Sequence, residues 1–224
     1  MKRLLALILA SLFTAAIAWA APPARPACVA ALVEGGVLLS RQEAPDVGLE
    51  RFRKLLPGDR ITLEPGATLR LSFLRAGKAE AWRGPARLVV EEGGTKGTDP
   101  AGAPLAPAIT PLELTSVSLG GAALLDSQPE LISGQITVRS GRFPPADVPL
   151  DDAGKKDLDR LETRCDALRK ALPPGDATAD FALAAGLDAL GQQARAVRLL
   201  KDLLARDEAN EALADLLKEV LQPR

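Results

Sequence analysis

The stretch LLPGDRITLEPGATLRLSFLRAGKAEAWRGPARLVVEE, residues 55–92, decides the reading of the fold. Ile61 and Leu63 alternate with Arg60, Thr62 and Glu64; after Pro65-Gly66, Leu69, Leu71 and Phe73 alternate with Thr68, Arg70 and Ser72. A period of two is the pattern of a strand buried on one face. Ala76-Gly77 turns the chain, and Lys78–Trp82 and Ala86–Val90 supply two more short extended runs. Arg83-Gly84-Pro85 parts them, because Gly and Pro suit a turn better than a strand interior. The expectation is a four-strand meander.

Upstream, Val29, Ala31 and Val33 alternate into Glu34-Gly35-Gly36, and Val37–Ser40 follow, which reads as an opening hairpin with a glycine turn. Residues 41–49 form a polar connection, and residues 50–56 suit a helical turn and a strand equally. Downstream, GGTKGTDPAGAPLAPAITP (93–111) is rich in Gly, Pro, Ala and Thr without an apolar period, and is expected to be a mobile loop. Two more extended runs follow at 112–119 and 135–140. Ile136 and Val138 alternate with Thr137 and Arg139, so 134–139 is expected to close the sheet. The β domain so defined spans 28–141.

RFPPADVPL (142–150) carries three prolines and reads as a stiff interdomain linker. Residues 151–222 are expected to be helical. Leu158, Leu161, Cys165, Leu168 and Leu172 recur at spacings of three and four, with Lys155, Asp159, Arg160 and Arg169 off that face. Pro173-Pro174-Gly175-Asp176 ends this helix, and Asp176 or Thr178 can cap the next. That helix presents Phe181, Leu183, Ala184, Leu187 and Leu190 and ends at Gly191. A third carries Ala196, Leu199, Leu200, Leu203 and Leu204, and a fourth Leu213, Leu216, Leu217, Val220 and Leu221. The fold class is therefore α+β: an N-terminal all-β sheet or roll of short strands, then a C-terminal helical bundle.

The chain of 224 residues suits two small domains, with cores of Leu, Val and Ala, because only 3% of residues are aromatic. Met1-Lys2-Arg3, an apolar run over 4–18 and the small residues around Ala20-Ala21 read as a cleavable signal peptide over 1–20. The Pro-rich spacer APPARPA follows at 21–27. The run is short against the roughly 20 residues of a spanning helix. The expected location is periplasmic or secreted, with no transmembrane span in the mature chain. Losing Lys2 and Arg3 would take the formal net charge from −1 to −3. A chain without a basic footprint is not expected to bind nucleic acid. Cys28 and Cys165 are a candidate disulfide pair in an oxidising compartment, the alternative being that Cys165 is a small core residue.

There is no His and no Tyr, which removes the commonest general base and a common metal ligand. Two distant cysteines do not make a four-ligand zinc site, no serine sits in a G-x-S-x-G elbow, and no loop has calcium-ligand spacing. Glu91-Glu92 and Asp151-Asp152 read as a solvated strand end and a charged helix start. No catalytic residue, metal or cofactor is expected, and the chain is read as a non-enzyme. The candidate contact patch is Trp82 with Arg83, Arg75 and Arg70, since Trp82 shares its parity with the polar Lys78 and Glu80. The competing reading closes Trp82 over the sheet as core.

Two stretches resemble known families. Leu183-Ala184, Leu187, Gly191, Ala196, Leu200 and Leu203 stand at the spacing of a tetratricopeptide repeat, with Leu203 and Glu208 departing from its usual Ala and Pro. An ordinary helical bundle fits the same residues. The opening Gly turn, Leu55-Leu56-Pro57-Gly58-Asp59-Arg60-Ile61, Glu64-Pro65-Gly66-Ala67 and the strand ending at Gly77 resemble the FecR-type periplasmic β domain. That resemblance implies an all-β module outside the inner membrane, often in envelope signalling. The signalling form also has a cytoplasmic N-terminal domain and a spanning helix, and neither is expected from these residues. The expected function is an exported binding or scaffold module with a protein partner in the cell envelope; the alternative partner is polysaccharide or peptidoglycan.

Overall fold

The computed structural model describes residues 25–41, 44–112, 147–207 and 210–220. The expected signal peptide, most of the spacer and the runs at 113–119 and 134–140 lie outside them. Eleven short strands are present among the described residues: β1 (Cys28–Glu34), β2 (Val37–Ser40), β3 (Val47–Gly48), β4 (Lys54–Leu55), β5 (Arg60–Leu63), β6 (Thr68–Phe73), β7 (Lys78–Arg83), β8 (Ala86–Glu91), β9 (Gly94–Thr98), β10 (Pro104–Leu105) and β11 (Ala108–Pro111). They form two antiparallel sheets, sheet I in the order β11-β7-β6-β1-β4 and sheet II in the order β10-β9-β8-β5-β2-β3.

The alternation expected of residues 61–73 is present: Ile61, Leu63, Leu69, Leu71 and Phe73 are all buried. The meander is not. Of its four strands only β6 and β7 form a hairpin, from Thr68↔Arg83 to Phe73↔Lys78, while β5 pairs with β8 from Arg60↔Val89 to Leu63↔Ala86. The Pro65-Gly66 and Gly84-Pro85 corners therefore carry the chain from one sheet to the other and back. They stack on each other: the Gly84 N–H donates to the Ala67 carbonyl at 2.9 Å. A Cβ on Gly84 would stand 1.9 Å from the Glu64 carbonyl oxygen, so no larger residue fits. The opening hairpin is likewise absent. β1 pairs with β6 and β4, β2 with β5 and β3, and Gly35-Gly36 is a third crossing. Alternation sets which face is buried but not which strand lies alongside.

The sheets enclose one apolar core. Sheet I supplies Cys28, Ala30, Leu55, Leu69, Leu71, Phe73 and Trp82, and sheet II supplies Val37, Leu39, Ile61, Leu63, Ala86, Leu88 and Val90. Residues 93–111, expected to be a loop, instead hold β9, β10 and β11. The apolar period is missing there because the inward position of β9 is Gly97. A Cβ on it would meet the Trp82 ring at 2.3 Å, so the partner strand fills the space that a large side chain fills elsewhere.

Four helices follow among the described residues: α1 (Asp152–Ala171), α2 (Thr178–Ala189), α3 (Gln193–Arg206) and α4 (Glu211–Val220). Asp151 caps α1 by accepting the Gly154 N–H at 2.7 Å. The expected inward residues Leu161, Cys165, Leu168, Phe181, Ala184, Leu187, Ala196, Leu200, Leu203, Leu213 and Leu217 are buried. Leu183, Leu190, Leu199 and Leu204 are only partly so; Ala182 and Ala185 are buried in addition, because α2 is enclosed on several sides, and so is Val197 of α3.

The helices pack on the β region; of the expected linker, residues 142–146 lie outside the described residues. Val29, Ala31, Ala79, Leu74, Leu112 and Phe52 of the β region share a second core with Cys165, Ala179, Phe181 and Leu200. Sheet I is thus the middle layer of a sheet–sheet–helix stack. A β-bulge between Ala30 and Leu32 reverses the parity of β1, so Val29 and Ala31 face the helices while Val33 packs on the sandwich side. The freed Ala31 carbonyl accepts the Ala177 N–H at 3.1 Å. Residues 50–56, which suited a turn and a strand equally, form a turn and then β4. Phe52 takes φ +69° there, rare for a bulky residue, and its ring meets Phe181 edge-on at 5.4 Å.

Candidate functional site

The four residues expected to form a contact patch do not come together. Trp82 is 2% exposed and lies between the sheets. Arg70, one residue out of parity with its cross-strand neighbour Leu69↔Trp82, points the opposite way, under the helices. Its Nε is 2.5 Å from Asp176 Oδ2, and one Nη donates to Thr110 Oγ1 at 3.2 Å. Arg75 donates to the Pro26 carbonyl at 3.1 Å, in the turn after β6. Arg83 alone of the four is exposed. The misreading has a definite cause: Lys78 and Glu80 mark a solvent face by composition, but Glu80 is itself buried. It accepts from the Thr95 N–H (3.1 Å) and Thr95 Oγ (2.5 Å) and pairs with Lys78 Nζ (2.8 Å). A satisfied buried carboxylate carries no mark in the sequence.

Every buried carboxylate among the described residues holds two elements together. Asp59 accepts from Arg41 Nε and Nη2, both at 3.0 Å, and from the Leu56 N–H at 2.9 Å, while Arg41 also donates to the Lys54 carbonyl. This fixes the entry to β5 against β4. Glu80 ties β7 to β9 across the sandwich. Asp176 anchors the start of α2: its Oδ1 accepts the Thr178 N–H at 2.9 Å, and Thr178 Oγ1 in turn accepts from Ser72 Oγ at 3.0 Å. Neither residue offered as a cap holds that position: the N-cap is Ala177, without a side-chain bond, Asp176 accepts from its place one residue before the cap, and Thr178 is the first helical residue. Beside this seam, Arg51 donates to the Gly175 carbonyl and to Asp207, each at 3.0 Å, and Asn210 donates to the Arg51 carbonyl.

Cys28 and Cys165 are both free and buried, and they belong to different cores. Sheet I separates them, so the candidate disulfide is not formed. Burial raises both thiols: Cys28 well above its ordinary value, with Glu80 and Asp59 adding to the effect, and Cys165 to about 12, with Arg169 pulling the other way. Among the described residues no three His, Cys, Asp or Glu side chains are placed to share a metal ion. No helix there is long and apolar enough to cross a membrane.

The two outer faces of the sandwich differ. That of sheet I is covered by the helices. That of sheet II is covered by no other element among the described residues, and strand register orders its side chains. Val89, 41% exposed, sits directly opposite Arg60 on β5 and Lys96 on β9, with Arg87 and Glu91 two residues away along its own strand. Arg87 is opposite Thr62 on one side and Thr98 on the other. Arg60 and Arg87 are thus diagonal neighbours, about 7–8 Å apart at the backbone by ordinary sheet geometry. Neither has an ion-pair or hydrogen-bond partner among the described residues, whereas Lys96 pairs with Glu91 at 2.5 Å. The alternation of residues 60–64 set Arg60 opposite in direction to Ile61 and Leu63, while the sequence reading did not single out Arg87. Only the β5–β8 register brings them together.

Comparison with known protein families, with curated proteins and with solved structures finds no match to this chain.

Proposed function

We propose that the protein is a non-enzymatic binding module that acts outside the cytoplasm, an exported FecR-like β domain whose docking surface is the outer face of sheet II. The observation that carries this reading is the asymmetry of the sandwich: one outer face is sealed by the chain's own helices, while the other presents Arg60, Arg87, Lys96 and Val89 to solvent. Antiparallel sheets commonly leave one face solvated, and an exposed apolar residue framed by arginines is the composition of a contact surface. The helical layer, in this reading a tetratricopeptide-like pair α2/α3 between α1 and α4, serves as a buttress. Phe181 and Thr178 of α2 are committed to the sheet, so this face of the helix is not a groove for a partner.

Of the two partner classes, protein is favoured over polysaccharide. The described aromatic side chains, Phe52, Phe73, Trp82 and Phe181, are all buried, which leaves sheet II without a ring on which a sugar could stack. The test is site-specific photo-crosslinking in envelope fractions of the producing cell. A photoreactive residue at Val89 is expected to give a discrete protein adduct, and the same residue at the exposed Lys156 of α1 is expected to give none. Equal labelling from both positions, or none from Val89, overturns the reading.

A further inference from the structure

The face of sheet II also specifies what it binds. We infer that its partner is a protein segment in extended conformation that carries acidic side chains at every second position, all on the face turned to the sheet. This rests on the docking reading above and adds the partner's chemistry.

The argument begins with charge. The chain as a whole has nearly balanced charge, with 28 basic and 29 acidic residues. The outward positions of β5, β8 and β9 are Arg60, Thr62, Arg87, Val89, Glu91, Lys96 and Thr98, three cations to one carboxylate. That carboxylate, Glu91, is spent on Lys96. Glu64, which follows β5, lies over Gly36 at the crossing between sheets, since a Cβ on Gly36 would meet its side chain. What remains is a pair, Arg60 and Arg87, without an ion-pair partner among the described residues, held on adjacent interior strands whose backbones are already hydrogen-bonded on both sides; a further carboxylate beside it, Asp46, accepts from Ser40, which faces Arg60 on β2.

Geometry then narrows the ligand. Strand pairing fixes the two guanidinium stems on rigid backbone, and a guanidinium binds a planar carboxylate through two parallel N–H bonds. Val89 lies opposite both Arg60 and Lys96 and offers an apolar contact for the methylene stems of the acidic side chains. Thr62 and Thr98 flank Arg87 and add hydroxyls that donate or accept. An extended segment repeats its side chains on one side about every 7 Å, the two-residue rise of a strand, which matches the diagonal step from Arg60 to Arg87. A nucleic acid or a glycan fits poorly, because base or sugar faces need rings and the described ones are buried.

The test uses the full chain and a labelled 12-residue peptide of alternating Glu and Val, with alternating Lys and Val as control, followed by fluorescence anisotropy. The Glu peptide is expected to bind and the Lys peptide not. Raising the salt from 20 to 200 mM, both buffer settings on the order of the Debye-screening range, is expected to weaken binding several-fold. The double variant Arg60→Glu/Arg87→Glu is expected to weaken it at least tenfold, and Val89→Ser by a smaller factor, with unchanged melting temperatures for both. Binding that survives the double charge reversal overturns the inference, and so does tighter binding of heparin with the same arginine dependence. A cross-linked partner at Val89 whose capture survives that reversal defeats the acidic class and leaves the docking reading standing.

Discussion

Arg70 Nε stands 2.5 Å from Oδ2 of Asp176, a side chain with no exposed surface, and so joins the middle strand of the sandwich to the start of α2. The arginine itself is only 12% exposed. A buried pair of this kind is expensive to break, because removing one partner strands the other charge. Asp176→Ala is expected to lower stability by about 3–5 kcal/mol, read from urea denaturation. The double replacement Arg70→Met/Asp176→Leu is expected to cost less than the single one, since it leaves no charge unpaired. A double variant less stable than Asp176→Ala would show that the pair contributes net stability beyond charge compensation.

Because sheet I is sandwiched between two cores, helices and strands are expected to unfold together. Circular dichroism at 222 nm and Trp82 fluorescence should report the same denaturant midpoint. A chain ending before α1 would expose Val29, Ala31, Ala79 and Phe52 and is expected to aggregate. Two separated transitions would mean that the shared core does not couple the layers.

Trp82 and Gly97 form a lock across the sandwich. In a chain beginning at Ala21, Trp82 is the only tryptophan, and its emission is expected to be blue-shifted and shielded from acrylamide. Gly97→Ala places a methyl 2.3 Å from ring carbons of Trp82, so strand or ring must move. The expected cost is about 1–3 kcal/mol, with a red shift and increased quenching. An unchanged spectrum would mean that the space beside the ring is not needed.

The two thiols predict an alkaline limb. Folding holds Cys165 protonated to about pH 12 against an ordinary value of 9.0, and Cys28 is shifted in the same direction. Below pH 9 both states keep the proton and stability is full. As pH rises from 9 toward 12, the unfolded chain ionises first and stability falls, by up to about 1.4 kcal/mol per pH unit for each such thiol. Denaturation midpoints at pH 8, 9 and 10 measure this slope, and Cys165→Ala is expected to flatten it. In the native state at pH 8 neither cysteine should react with a thiol reagent.

Residue order alone determined which side chains are apolar at which period, and hence the buried faces of β5, β6, β8 and the helices. Those depend on spacing within a single element, where a side chain's direction follows from its own backbone. Strand order, the three sheet crossings, the bulge that turns Val29 and Ala31 to the helices, and the meeting of Arg60 with Arg87 all depend on segments distant in the chain. The same holds for Trp82 and Glu80, whose burial was set by Gly97 and Thr95 of a stretch with no apolar pattern of its own. Pairing and packing are decided between elements, where a glycine on one strand and a ring on the other satisfy a single space together.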